Sequence, residues 1–170
     1  MGYGFVITKR LMIRPFADSD FEQLLRHRSD PEVMKYLGGV PFPEIVRTRL
    51  EFYIQHFKDH EFAMGAMIWK ETGAFIGVGG LQLVEDGSDV EVGYTVDKPF
   101  WGKGIATECT VGCLEHGFGK LGLRRIIART ESANLGSRRV LEKAGMIELD
   151  HLVEENIDSV RYVKNRDVAN

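Results

Sequence analysis

Apolar and polar positions along the chain change period several times, and the changes mark out the elements. From Phe5 to Pro15 the run Phe-Val-Ile-Thr-Lys-Arg-Leu-Met-Ile-Arg-Pro is rich in β-branched residues and partly alternating, which predicts one strand closed by Pro15. Asp18-Ser19-Asp20 then offers side-chain oxygens to unpaired amides, with Phe21, Leu24 and Leu25 at helical spacing behind it, so a helix starts there. Asp30-Pro31-Glu32 predicts a short helix through Val33, Met34 and Leu37, stopped by Gly38-Gly39; Pro43 to Lys58 predicts a longer one carrying Ile45, Leu50, Tyr53, Ile54 and Phe57. Phe62 to Trp69, Ala74 to Val84 and Asp89 to Val96 read as three strands, and the short turn-rich separators between them predict an antiparallel meander. Ile105 to Leu121 returns to a helical stripe through Val111, Leu114, Phe118 and Leu121, and Gly122 ends it. Arg125 to Thr130 is a strand, Asn134 to Ala144 a helix terminated by Gly145, and Met146 to Leu149 and Val160 to Lys164 two last strands. The order β-αα-βββ-α-β-α-ββ predicts an α/β fold with a mixed, mostly antiparallel sheet flanked by helices. Its crossover from Val92 to Thr130 is expected to be right-handed.

Composition narrows the class. The 170 residues carry 22 Lys and Arg against 25 Asp and Glu, a formal charge of −3, with 44% hydrophobic residues. A chain of this size buries roughly 70% of its unfolded surface and holds a core without metal or disulfide staples. No repeat, linker or low-complexity stretch divides it, so residues 1–170 read as a single domain. The balance of charge argues against nucleic acid as a partner. Lys9, Arg10 and Arg14 interrupt the apolar start, and no stretch approaches the ~20 residues a spanning helix needs, so neither a signal peptide nor a membrane segment is expected and the location expected is cytoplasmic. Cys109 and Cys113, four apart in a helical pattern, suit one helix face better than a disulfide and read as reduced.

Chemistry concentrates in the strand, glycine loop and helix from Val92 to Glu108. Gly102 and Gly104 leave backbone amides uncovered where a helix begins, so unpaired N–H groups and the positive end of the helix dipole converge on one spot suited to phosphate. Lys103 adds charge at its rim and Thr107 a hydroxyl. The competing reading is a tight turn using glycine for geometry alone. Neither the P-loop spacing nor Gly-x-Gly-x-x-Gly is present, since Thr107 stands where the last glycine belongs. His56 and His60 lack the intervening Glu of a zincin helix and read as surface histidines; no metal is expected.

The motifs together resemble the GCN5-related N-acetyltransferases (GNAT), in particular the ribosomal-protein N-terminal acetyltransferase branch called RimJ/RimL-like. The resemblance covers nearly the whole chain: Thr8 to Pro15, Glu91-Val92-Gly93-Tyr94, Phe100-Trp101-Gly102-Lys103-Gly104-Ile105-Ala106-Thr107-Glu108, and Asn134-Leu135-Gly136-Ser137 through Met146. Trp101 stands where the general family pattern has Arg or Gln, as in this branch. The resemblance implies an acetyltransferase using acetyl-CoA as co-substrate. Trp101, Gly102, Lys103, Gly104, Ile105, Ala106 and Thr107 would hold its pyrophosphate, the strand ending at Thr95 and Val96 would hold its pantetheine arm, and Asn134 would contact the arm near the thiol. Asn134 is equally suited to be a helix N-cap.

Transfer to an amine needs a base, a donor to the oxyanion and an acid. The resemblance implies Glu91 as base, with Glu131 in reserve, and a backbone N–H near Val96 as oxyanion donor. The tyrosine acid common in the family is absent, since Leu141 occupies its place, and Ser137, three residues after Asn134, is the candidate to protonate the thiolate. A strand-surface Glu91 and an ordinary first-turn Ser137 are the plainer readings. The acceptor site implied lies between Tyr36, Leu37, Phe42 and Tyr53 on one side and the 150–165 region on the other, where Glu154-Glu155 and Asp158 would attract a cationic amine. Protein N-termini, polyamines, amino acids and other small amines all remain open as acceptors. So do monomer and homodimer, and so does an acyl-CoA-binding or partner-binding module of this fold without transferase activity.

Overall fold

The structure, a computed structural model, describes residues 5–167. Eight strands form one sheet in the order β1-β2-β3-β4-β5-β6-β8-β7. These are β1 (Val6–Ile7), β2 (Leu11–Arg14), β3 (Met64–Trp69), β4 (Ala74–Leu83), β5 (Val90–Val96), β6 (Arg125–Glu131), β7 (Ile147–Glu154) and β8 (Ile157–Asn165). Helices α1 (Phe21–Arg28) and α2 (Pro43–His60) cover one face of the first strands; α3 (Ile105–Gly119) and α4 (Leu135–Lys143) cover the other. Every neighbouring pair is antiparallel except β5 and β6, joined by the α3 crossover.

Strand alternation sorts the core into two layers. Even-numbered residues of β5, namely Val90, Val92 and Val96, pack with Ile105, Cys109, Cys113 and Leu141 of α3 and α4. Across the sheet, Met64, Ala66, Ile68, Phe75 and Val78 meet Leu24, Val46, Leu50 and Tyr53 of α1 and α2. Glycines allow the sheet to lie close to its neighbours: a Cβ on Gly79 would stand 2.5 Å from Cys109 Sγ, and one on Gly77 2.2 Å from the Thr95 carbonyl oxygen.

Three expectations need correction. The single opening strand is a hairpin, because the Thr8 hydroxyl and backbone close a turn on Leu11. Asp30 to Leu37 forms successive turns rather than a helix, with only isolated bonds such as Met34 N–H to Asp30 O. The last two strands run longer, meeting at Glu155 and Asn156 with φ of 50° and 65°. Positive φ at both residues of a two-residue loop is the backbone of a tight hairpin with right-handed twist. Cys109 and Cys113 are free and buried.

Candidate active site

The site begins where the sheet fails to close. β4 and β5 pair from Gly77↔Val96 to Leu83↔Val90, whereas β5 and β6 share one rung, Glu91↔Ile127. Beyond that rung the two strands part. Asp97 N–H donates to the Ile76 carbonyl at 2.7 Å, so odd-numbered residues of β5 bond to β4 and even-numbered ones turn N–H and C=O toward β6. The Val96 carbonyl accepts the Trp101 indole N–H at 2.6 Å. The Tyr94 N–H and C=O and the Val96 N–H have no partner among the described residues. An extended chain laid in the gap would add to β5 as a further strand does. Thr95 is placed otherwise than expected: its backbone faces β4 and its hydroxyl lies 2.7 Å from His27 Nε2.

The open edge leads to the glycine loop. Gly102 and Gly104 hold φ of 71° and 74°, in the left-handed region where a side chain is strained. Glu108 N–H to Gly104 O at 3.0 Å is the first bond of α3, and the N–H groups of Gly102 to Thr107 donate to no described residue. A Cβ on Gly102 would meet nothing within 4 Å, so the cradle opens outward. Arg10 braces it from the first hairpin, donating to the Lys103 carbonyl at 2.9 Å and to Glu108 through Nε at 2.6 Å and its own backbone N–H at 2.7 Å. The Thr8 hydroxyl donates to the same carboxylate at 2.6 Å. Burial pushes the Glu108 carboxyl up, but these bonds and the Arg10 charge outweigh it and hold the group below its ordinary value. Alongside lies a groove of about 510 Å³ with Lys9 and Lys143, and also Glu108 and Glu115, in its lining. The amides, the left-handed glycines and this groove fit the pyrophosphate and nucleotide end of CoA.

Glu91 lies at the last rung, on the face shared with α1 and α2. Its carboxyl is raised by burial, against the opposing pull of the Arg129 charge and backbone N–H. Arg129 follows two residues after the rung on the same face and donates to Glu154 at 3.2 Å. Glu131 stands at the far end of β6, on the diverging part of the strand. On the opposite face of β5, the Tyr94 hydroxyl lies 2.8 Å from Ser137 Oγ. Burial pushes the Tyr94 phenol well above its ordinary value, despite the Ser137 bond, so it keeps its proton. Asn134 caps α4, its side-chain oxygen accepting from Ser137 N–H at 3.1 Å, which leaves its amide N–H groups to face outward contacts. The base and acid candidates therefore flank the open edge from opposite faces.

Several participants gave no local signal. Tyr94 belongs to a motif, but only the packing of α4 against β5 brings it to Ser137. His27, wholly buried, bridges Thr95 and Asp97, its Nδ1 2.6 Å from the carboxylate, and Arg26 joins the same group at 2.7 Å. Burial raises the Asp97 carboxyl, but these two partners together hold it below its ordinary value. The clamp ties α1 to the start of the cofactor loop. The expected acceptor wall changes in part: Tyr53 is core, stacked on Phe16 at 5.6 Å, while Glu154 stays exposed and accepts from Arg129 at 3.2 Å. His56 is buried rather than superficial, with Nδ1 2.8 Å from the Phe62 carbonyl and Nε2 accepting from Leu83 N–H at 3.1 Å, and no metal-binding cluster occurs among the described residues. No described helix is long and apolar enough to cross a membrane.

Residues 10–147 match the family described as "Acetyltransferase (GNAT) domain". The chain is 34% identical over 139 residues to the uncharacterized N-acetyltransferase p20 of Bacillus licheniformis, covering 79% of this chain and 77% of that protein. An acetyltransferase (GNAT family) from Bacillus anthracis superposes with a TM-score of 0.81 at 27% identity, covering 94% of this chain and 97% of the other. The spermidine N-acetyltransferase of Vibrio cholerae, solved with CoA and spermine, superposes with a TM-score of 0.77 at 21% identity over 93% of this chain and 96% of that one.

Proposed function

The chain belongs to the GNAT acetyltransferase family and is an acetyl-CoA-dependent N-acetyltransferase, and from that premise we propose that residues 1–170 form one catalytic domain in which an amine attacks the thioester directly. The amine is the α-amine of a protein N-terminus or of a small molecule. The observation that carries this reading is the free edge of β5 running from the Glu91 rung to the unpaired amides of α3.

Acetyl-CoA supplies an activated acetyl group on a thiolate leaving group. Tyr94 offers its backbone N–H and C=O to the pantetheine arm, with Trp101 holding the Val96 carbonyl out of the way. Gly102 to Thr107 offer amides to the pyrophosphate, and Asn134 its free amide N–H groups near the thiol. The amine enters on the α1 and α2 face, where Glu91 receives its proton; desolvation strengthens Glu91 as a base at neutral pH. Val96 N–H donates to the carbonyl oxygen that gains charge. Ser137, held by its hydrogen bond to the Tyr94 hydroxyl, which keeps its own proton, gives a proton to the thiolate on the other face; water then reprotonates Ser137 as Glu91 returns its proton to solvent.

The test is a free-thiol assay with peptides beginning in Ser, Ala or Thr, with polyamines and with single amino acids. Thiol release that depends on one acceptor class supports the reading and names the acceptor; none with any amine, while acetyl-CoA still raises the melting temperature, defeats it. Ser137→Ala should lower kcat about tenfold with acetyl-CoA affinity nearly unchanged, and equal turnover would remove Ser137 as the acid.

A further inference from the structure

Arg129 stands between two carboxylates. It lies on β6 two residues beyond the Glu91↔Ile127 rung, on the face that carries Glu91. A diagonal neighbour of this kind on an adjoining strand is about 7–8 Å away, within reach of a long side chain. The guanidinium nevertheless leans the other way. Directly opposite Arg129 on β8 is Arg161, which Asp150 holds through Nε and Nη2. Arg129 Nη1 reaches over that strand and donates to Glu154 of β7 at 3.2 Å, so the contact draws the cation away from β5.

That contact is a loose one. Arg129 is 50% and Glu154 68% exposed in their side chains, and an ion pair so open to water holds a long side chain weakly. The other charged groups around Glu91 are committed elsewhere. Asp89, just before β5, pairs with Arg125 at 3.2 Å, and α1 brings Arg26 and His27 to Asp97 beyond the far end of β5. From α2, His56 has one ring nitrogen on the Phe62 carbonyl and the other on Leu83 N–H, and β4 places the uncharged Gln82 opposite Glu91. Glu131, further along β6, adds a negative charge. Among the described residues, Arg129 is therefore the cation on this face with Glu91 as its alternative partner. Burial raises the Glu91 carboxyl and the Arg129 charge opposes that rise, which places the two within electrostatic range even while Glu154 is engaged.

We propose that Arg129 is a positioning residue shared between Glu154 and Glu91, and that Glu154, by holding it across β8, keeps Glu91 free to take the amine's proton. The inference rests on the reading of Glu91 as base. A carboxylate with a guanidinium against it is a weaker base and titrates lower. With Glu154 in place the cation helps to keep Glu91 ionised without covering the oxygens that the amine needs. No proton passes through Arg129: the nitrogen's proton goes to Glu91 and from there to solvent, and the guanidinium acts through its charge alone.

The test is a double-mutant cycle of Arg129→Gln and Glu154→Gln, read in two ways. One is the acidic limb of kcat/KM against pH with an amine that supports transfer; the other is an NMR titration of the isotope-labelled Glu91 carboxyl, assigned by its loss in Glu91→Gln. Glu154→Gln should move both down by about one pH unit and lower kcat at neutral pH about threefold, and Arg129→Gln should move both up by about as much. In the Arg129→Gln background, Glu154→Gln should shift neither by more than about 0.3 of a pH unit. A Glu154→Gln protein that titrates as the wild type does, or one that shifts equally with and without Arg129, overturns the proposal while leaving Glu91 as base. A carboxyl titration that moves while the kinetic limb stays fixed removes Glu91 as base, and the positioning role with it. Loss of acetyl-CoA affinity in either single variant makes the pair structural and overturns the proposal as well. No transfer to any amine by the wild type defeats both readings.

Discussion

The two edges of β5 have the same sequence neighbours and opposite fates. Toward β4 the strand is closed by seven paired residues, and glycines on that side let the backbones approach until a single Cβ on Gly77 would collide with the Thr95 carbonyl. Toward β6 it is paired at Glu91 alone, and its remaining polar groups face a gap. The lesson is that a sheet makes a binding track by withholding a ladder rather than by adding one. The closed edge carries stability, and the proposed chemistry lies along the open one.

The sharpest way to test that division is Glu91→Gln at the last rung. It should lower kcat by at least about 100-fold while acetyl-CoA affinity holds. Burial raises the Glu91 carboxyl, and the base works only when ionised. The wild-type kcat/KM should therefore climb with pH through an acidic limb lying above the ~4.3 of an exposed glutamate, and the variant should lack that limb. An unchanged limb in the variant would move the base elsewhere, with Glu131 next in line.

A pair of glycines sets the two regions against each other more directly. Gly77→Ala places a Cβ 2.2 Å from the Thr95 oxygen on the closed edge, and should cost about 3 kcal/mol. Gly102→Ala meets nothing within 4 Å but forces alanine to a φ of 71°, costing about 1 kcal/mol. Its methyl group enters the cradle, so acetyl-CoA affinity should fall about tenfold. Thermal melts and calorimetry separate the two, and a Gly102→Ala protein that binds acetyl-CoA as the wild type does would break the comparison.

The smallest effect expected is at the brace. Glu108→Gln weakens the bonds to Thr8 and Arg10, and should cost about 1–2 kcal/mol at neutral pH, a drop of a few degrees in melting temperature. Because the fold holds the Glu108 carboxyl below its ordinary value, its contribution is fully present above the unfolded value of ~4.3 and disappears as pH falls through the lower folded value. The difference between wild type and variant, read by denaturant unfolding, should therefore narrow as the pH is taken down to and below that range.

Much of this architecture was legible along the chain because its signals are local. The periods of α2, α3 and the β3–β5 meander, the glycines before α3 and the Asn134 cap all act within a turn or two of themselves. The opening hairpin reads along the chain as one strand because Thr8-Lys9-Arg10 contains none of the usual turn residues; its turn is held by Glu108, 100 positions distant from Thr8. The turns after Asp30 mimic a helix start, with the Asp30 side chain accepting from Glu32 N–H at 2.9 Å, yet the run does not settle into a continuous helical ladder. The hairpin at Glu155-Asn156 takes left-handed conformations that no glycine announces.

By itself, then, the sequence determined most of the strands and helices, where the glycine loop before α3 lies and which family the chain resembles, since capping, periodicity and glycine freedom are properties of neighbours in the chain. Tertiary structure alone decided which edge of β5 stays open, that Tyr94 and Val96 rather than Thr95 face the gap, that Tyr94 reaches Ser137, and that Gln82 stands opposite Glu91. Those outcomes depend on register between strands and on which faces pack together, and register is set by contacts between residues far apart in the chain.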